Sequence, residues 1–156
     1  MRGKKLVFTC CVFYLLKVIE LLSFMNILVV DDKKSVRDTL SQFLVGRGYN
    51  VDTAVNGLDG FEKAQQGNYQ LFVIDHLMPL MNGVLLSKNI KQTVLYADTP
   101  ILFITTQPKE NLQSLPEYSL FGQVLSKPLN ESEFVSTVSL LLSDVMISGN
   151  TSSIAL

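Results

Sequence analysis

Side chains able to do metal and nucleophilic chemistry follow four short, mostly apolar runs of this 156-residue chain: Asp31, Asp32, Asp75, Thr105 and Lys127. Carboxylates placed side by side raise one another's pKa, so three of them in one site require a cation. Oxygen ligands suit Mg²⁺, which retains waters and bridges to phosphoryl oxygens. A carboxylate can then act as a nucleophile and form an aspartyl phosphate.

The remaining groups complete a set for phosphoryl transfer. Asp75 is the predicted nucleophile because it stands alone after the central apolar run. Thr105 can donate a hydroxyl hydrogen bond to a phosphoryl oxygen, and the ammonium of Lys127 can offset charge that spreads over the transferred group. This chemistry requires that the four runs end at one place in the fold.

The apolar runs alternate with segments of helical period, which is typical of βαβ units and a parallel sheet. The predicted strands are 27–30, 49–54, 71–74, 100–104 and 124–126, with the second at an edge of the sheet. The fold class is therefore α/β, with one doubly wound sheet of five parallel strands. In such sheets, ligands bind at the carboxyl ends of the strands, where the strand order reverses.

Apolar spacing also predicts which side of each helix faces the core. The second helix begins after Asn56 and turns Leu58, Phe61 and Ala64 inward, and the third helix turns Val84, Leu85 and Ile90 inward. Pro116 must end or kink the fourth helix, which is predicted to be short. The last helix begins after Asn130, and its apolar stripe is mostly core, although its outer residues offer a surface for a homodimer.

Composition narrows the classes of function. Residues 25–156 contain nine Lys and Arg against thirteen Asp and Glu, a net charge of −4. This acidic balance argues against a nucleic-acid surface, which needs clustered cations. The only cysteines, Cys10 and Cys11, are adjacent, so no disulfide framework is expected and a cytoplasmic location fits best.

The first 24 residues allow three interpretations. Leu6–Leu16 is apolar and follows two lysines, as in the core of a signal peptide, but no small-residue cleavage site follows it, so a signal would be uncleaved. The segment could instead be an added helix or a membrane anchor. We favour the third interpretation, in which the domain begins at Met25 and residues 1–24 are spurious.

These motifs resemble the receiver-domain signature of two-component response regulators. The matching residues are Val29-Val30-Asp31-Asp32, Asp75-His76-Leu77-Met78-Pro79 with Met81 and Gly83, Thr105, and Lys127-Pro128. The intervals also suit that family, with 43 residues from Asp32 to Asp75, 30 more to Thr105 and 22 more to Lys127. The resemblance covers residues 25–146, which leaves 1–24 as an extension and 147–156 as a polar tail, with no output domain expected.

The resemblance implies a flavodoxin-like (βα)₅ fold with strand order 2-1-3-4-5 and a cis bond between Lys127 and Pro128. It implies a set of Mg²⁺ ligands, namely Asp31, Asp32, Asp75 and the carbonyl of Leu77. The phosphoryl group would come from a histidine kinase or phosphotransfer protein, and a downstream partner protein would receive the signal. The chain would catalyse only its own Mg²⁺-dependent phosphorylation and dephosphorylation through Asp75, Thr105 and Lys127.

Three positions depart from the family pattern. Val124 stands where an aromatic residue is usual, Thr106 replaces a usual small residue, and Pro116 interrupts the fourth helix. One alternative is therefore a degenerate receiver that binds partners independently of phosphate. Another is a Mg²⁺-dependent phosphatase of similar topology, against which Leu77 and the lack of a cap-sized insertion argue. Leu77 also predicts slow self-dephosphorylation, and His76 is interpreted as an exposed loop histidine.

Overall fold

The structure, a computed structural model, describes residues 25–151, with side chains as far as Ile147, and three earlier positions, Val12, Leu16 and Lys17. Apart from these three positions, the segment 1–24 and its alternative interpretations lie outside the described residues. No helix in the described part of the chain is both long and apolar enough to span a bilayer.

Five strands alternate with five α-helices over residues 25–151. The strands are β1 (Asn26–Val30), β2 (Asn50–Ala54), β3 (Leu71–Asp75), β4 (Ile101–Thr105) and β5 (Gln123–Ser126). The helices are α1 (Lys34–Val45), α2 (Gly57–Gln66), α3 (Gly83–Gln92), α4 (Lys109–Gln113) and α5 (Glu131–Thr151). Two 3₁₀ helices, Val94–Tyr96 and Pro116–Leu120, precede β4 and β5. The fourth helix is short, as predicted, and Pro116 begins the 3₁₀ helix that follows it.

The strands form one parallel sheet in the order β2-β1-β3-β4-β5, which confirms the predicted fold class and the edge position of β2. The chain passes from β1 outward to β2 and then returns to β3 on the other side of β1, so the order reverses between β1 and β3. Val30 pairs with Ile74, and Asp75 pairs with Ile104, so β1, β3 and β4 end at one edge. Open α/β sheets bind ligands at this edge.

Two apolar layers cover the sheet. Ile74 and Phe103 face the layer that contains α2, α3 and α4, whereas Val73 and Ile104 face the layer that contains α1 and α5. β3 and β4 are buried along their whole length. Burial on both faces explains why these strands are continuous apolar runs instead of alternating patterns.

One residue is wrong in each of two predicted helix faces, although Ala64 and Ile90 are buried as predicted. The side chains of Leu58 and Leu85 are 46% and 47% exposed, while Gly60 of α2 and Leu86 of α3 are buried. Close packing explains the difference in α2, since a Cβ at Gly60 would lie 3.1 Å from a methyl of Val30. Only a small residue fits at that contact, so the leucine of α2 turns outward.

Asparagine side chains begin two of the helices, as predicted. Asn56 Oδ1 accepts the Asp59 N–H at 2.9 Å, and Asn130 Oδ1 accepts the Glu133 N–H at 3.1 Å. Each bond satisfies a backbone donor that has no partner inside the helix. α5 continues to Thr151, so the first part of the predicted polar tail is helical.

Candidate functional site

Three carboxylates meet at the carboxyl edge of the sheet. Asp31 and Asp32 directly follow β1, and Asp75 is the last residue of β3. One oxygen from each lies within 4.8 Å of the other two. Asp31 and Asp75 are 1% and 6% exposed, whereas Asp32 is exposed. The cluster therefore extends from the interior of the sheet edge to solvent.

A lysine from the far end of the domain bridges two of these carboxylates. Lys127 follows β5, and its Nζ lies 2.8 Å from Asp31 Oδ2 and 2.7 Å from Asp75 Oδ1. Its backbone N–H donates to the Thr105 carbonyl at 2.7 Å. The peptide bond between Lys127 and Pro128 is cis, as the resemblance implied.

Burial and charge oppose one another at this site. Desolvation raises the pKa of Asp75 above its ordinary value, Lys127 lowers it, and Asp31 and Asp32 raise it again. Burial alone would lower the pKa of Lys127, but its hydrogen bonds to Asp31 and Asp75 raise that pKa, so the ammonium stays charged. Three carboxylates beside one ammonium leave an excess of negative charge that a divalent cation would neutralise.

The donor set fits Mg²⁺. This ion prefers carboxylate oxygens and keeps several waters, and the exposed Asp32 places one side of the cluster in solvent. Leu77, the remaining predicted ligand, lies two residues beyond β3, and its side chain is 54% exposed. It would contribute only a backbone carbonyl oxygen, and that role stays a prediction.

Thr105 and His76 lie together beside the carboxylates. Thr105 ends β4 and is fully buried, and its Oγ1 accepts the Gln107 N–H at 3.0 Å. His76 Nδ1 lies 3.1 Å from the same hydroxyl oxygen. The interpretation of His76 as an exposed loop residue is wrong, since it is half-buried and burial lowers its pKa.

The alternation of side chains along a β-strand could have predicted the face of the sheet on which His76 lies. Its N–H donates to the Ile104 carbonyl at 2.8 Å, which continues the pairing of β3 with β4 by one residue. Alternation along β3 puts residue 76 on the same face as Ile74. The ring of His76 consequently packs against Phe103, with centroids 5.3 Å apart.

The loop after β3 is held close to the site by its backbone. The Gly83 N–H donates to the His76 carbonyl at 2.9 Å, and a Cβ at Gly83 would overlap the Asp75 carbonyl. Only glycine fits there. Leu80 has φ 68° and is the central residue of a γ-turn closed by the Met81 N–H and the Pro79 carbonyl at 2.8 Å.

An aromatic stack occupies the region where Val124 replaces the usual aromatic residue. Phe121, just before β5, stacks on Phe103 with centroids 4.0 Å apart and planes 15° apart. Val124 is buried in the same apolar layer. Sequence reasoning missed this stack because Phe103 and Phe121 come from different elements, and only the sheet register brings them together.

Comparison with known proteins decides the family. The family model of the response regulator receiver domain matches residues 27–139. The chain belongs to this family. Receiver domains are the signalling modules of two-component systems and not enzymes of the ordinary kind, so the phosphatase alternative is not supported.

Solved receiver structures agree with the fold. The chemotaxis response regulator CheY4 of Vibrio cholerae has a TM-score of 0.70 and 32% identity, with coverage of 75% of this chain and 98% of that one. The response regulator TrrA of Thermotoga maritima, in complex with Mg²⁺ and beryllofluoride, has a TM-score of 0.69 and 30% identity. Coverage in that case is 76% of this chain and 99% of TrrA. Receiver domains bind Mg²⁺ at an acidic cluster, and the grouped carboxylates of this chain match that property.

Curated relatives are longer than the matched region. The probable transcriptional regulator ycf29 of Porphyra purpurea is 28% identical over 119 residues, which are 75% of this chain and 56% of ycf29. The transcriptional regulatory protein DltR of Streptococcus agalactiae is 36% identical over 83 residues, which are 53% of this chain and 36% of DltR. The matched region of this chain thus spans about half the length of ycf29 and about a third of DltR, and both relatives are named as transcriptional regulators.

Proposed function

We propose that Asp75 accepts a phosphoryl group from a histidine of a histidine kinase or phosphotransfer protein. The observation that carries the proposal is the bridging lysine, because Lys127 Nζ bonds to both Asp31 and Asp75 at the switch point of the sheet. An ammonium between two carboxylates can move to phosphoryl oxygens as negative charge develops there. The exposed Asp32 keeps this edge open to a partner protein.

Each polar side chain of the site has a separate role in the transfer of the phosphoryl group. One oxygen of Asp75 attacks phosphorus and forms a P–O bond, while the P–N bond to the partner histidine breaks and its electron pair stays on nitrogen. Lys127 neutralises charge on the transferred group, and the Thr105 hydroxyl donates a hydrogen bond to it. Mg²⁺ held by Asp31, Asp32, Asp75 and the Leu77 carbonyl would supply further charge neutralisation at the phosphoryl oxygens.

In this proposal, residues 25–146 form a stand-alone cytoplasmic receiver that signals through a partner protein according to its phosphorylation state. The match of the receiver-domain family model to residues 27–139 supports the receiver assignment. The partner would distinguish the two states by the surface around the site.

Phosphorylation of Asp75 can be tested directly with the full chain. Incubation with Mg²⁺ and acetyl phosphate should add one phosphoryl group, detected by intact mass and located on Asp75 by peptide mapping. Asp75→Asn should abolish the addition. Asp38→Asn, which changes an exposed aspartate paired only with Lys34, is the matched control and should leave it intact. Labelling that survives in Asp75→Asn would disprove the assignment of the nucleophile.

A phosphate-independent interaction module is the second candidate. Val124 is buried where an aromatic residue is usual, and α4 has only five residues, so the surface near β4 and β5 differs from the family pattern. If neither acetyl phosphate nor beryllofluoride changes the amide NMR spectrum in an Asp75-dependent manner, this second function is favoured.

A further inference from the structure

The Thr105 hydroxyl already has two hydrogen-bonding partners in this structure, Gln107 and His76. Its oxygen accepts the Gln107 N–H at 3.0 Å and lies 3.1 Å from His76 Nδ1, and the residue is fully buried. A hydroxyl has a single hydrogen to donate. When Nε2 carries the ring hydrogen, Nδ1 accepts the Thr105 hydroxyl hydrogen, and a phosphoryl group on Asp75 then competes with His76 for that hydrogen.

His76 is held firmly enough to act as a fixed partner in that competition. Its N–H donates to the Ile104 carbonyl at 2.8 Å, and its carbonyl accepts the Gly83 N–H at 2.9 Å. Its ring packs on Phe103, which stacks on Phe121. These contacts hold the His76 backbone beside the end of β4 and place its ring against Phe103.

We propose that His76 is a positioning residue that holds the Thr105 hydroxyl away from the phosphoryl site, so that modification of Asp75 must break the His76–Thr105 hydrogen bond. This inference rests on the proposed function, because it concerns the same acceptor. Its consequence is a receiver biased toward its unmodified arrangement.

Two substitutions separate the hydrogen bond of His76 from its packing. His76→Phe keeps a ring against Phe103 and removes the bond to Thr105. His76→Asn places a polar atom near the position of Nδ1 and removes the ring. With the full chain, Mg²⁺ and increasing beryllofluoride, read by amide NMR, His76→Phe should lower the half-saturating concentration about two- to tenfold, the range expected for one hydrogen bond. His76→Asn should stay close to wild type.

A double-mutant cycle with Thr105→Val tests whether the effect acts through the hydroxyl. In the Thr105→Val background, His76→Phe should no longer change the half-saturating concentration. An unchanged value for His76→Phe in the wild-type background, or an equal change in both backgrounds, would overturn the inference. Failure of the wild-type chain to bind beryllofluoride at Asp75 would instead overturn the proposed function together with it.

A measurement on the wild-type chain guards against a variant that fails to fold. His76 is the only histidine of the sequence, so its ring ¹⁵N resonances need no assignment by mutation. Saturation with beryllofluoride should shift the Nδ1 resonance as its bond to Thr105 breaks. An unchanged Nδ1 resonance in a chain whose Asp75 is occupied would refute the proposed role of His76.

Discussion

At the scale of single residues, the site depends on one partly buried lysine and its two carboxylate partners. Lys127 Nζ reaches Asp31 and Asp75, which are almost fully buried. Removal of one member of such a group leaves the others charged and unpaired, which is strongly unfavourable in a buried site. The same arrangement is useful for phosphoryl transfer because the ammonium is already in place when charge develops.

The lifetime of the aspartyl phosphate is expected to depend on the side chain at position 77, at the rim of the site. Leu77 lies two residues after Asp75, is 54% exposed and has no side-chain group that can orient an attacking water. We expect slow loss of the phosphoryl group, and Leu77→Asn should accelerate the loss roughly tenfold, as one oriented hydrogen bond can. The decay of phosphoprotein after removal of acetyl phosphate, followed by intact mass, measures both rates.

Leu80→Asn is the matched control for this prediction, since Leu80 is 82% exposed in the same loop. It should leave the decay rate unchanged. Rapid decay in the wild-type chain would show that water is oriented without a polar side chain at position 77.

The sequence predicts which side chains gather at the sheet edge better than it predicts the contacts between them. Asp31, Asp75 and Thr105 were identified because parallel strands end at one edge, and a strand end is visible in sequence as the last residue of an apolar run. The bond between His76 and Thr105 joins the residue after β3 to the last residue of β4, and it depends on the register of these two strands. That register is a property of the folded sheet, so the role of His76 was missed.

At the scale of elements, the existence of each helix could be predicted but not always its buried face. In α3, Val84, Leu85 and Leu86 are consecutive apolar residues, so helical spacing is satisfied whichever of them faces the sheet. The structure buries Leu86 and exposes Leu85. In α2, close packing against the methyl groups of Val30 favours a glycine at position 60, and hydrophobic spacing alone does not reveal this requirement.

The edge strand β2 is attached to the sheet by a side-chain bond with a measurable pH dependence. Tyr69, just before β3, is 5% exposed, and its hydroxyl donates to Asp52 Oδ2 of β2 at 2.8 Å. Burial, and then the bond to Asp52, raise the pKa of Tyr69 well above its usual range. Its protonated form is therefore favoured in the folded chain over the unfolded chain.

This raised pKa predicts a loss of stability at alkaline pH. The contribution of Tyr69 to the free energy of unfolding is fully present below about pH 10, where the tyrosine of the unfolded chain is still protonated. This contribution is lost as pH rises further. Urea unfolding should show wild type losing up to about 1.4 kcal/mol per pH unit more than Tyr69→Phe above that pH. Parallel pH profiles of the two proteins would contradict the raised pKa of Tyr69.

At the scale of the whole molecule, metal binding is linked to folding because the folded chain brings three carboxylates together at the sheet edge, and their repulsion lowers its stability. Burial already raises the pKa of Asp75, and Asp31 and Asp32 add to that effect, so the ionised site opposes the folded state. The acidic residues come from β1 and β3 and meet only when the sheet forms. A cation that binds them therefore binds the folded chain and not the unfolded one.

Mg²⁺ should accordingly stabilise the full chain against thermal unfolding. At ten times its dissociation constant, the expected gain in unfolding free energy is about 1.4 kcal/mol, enough to raise Tm by a few degrees. Asp32→Asn should remove most of this gain, while Asp38→Asn, an exposed aspartate of α1, should keep it. Loss of a ligand must weaken an ion that is bound at the sheet edge. If Asp32→Asn responds to Mg²⁺ as wild type does, the stabilising ion therefore binds elsewhere.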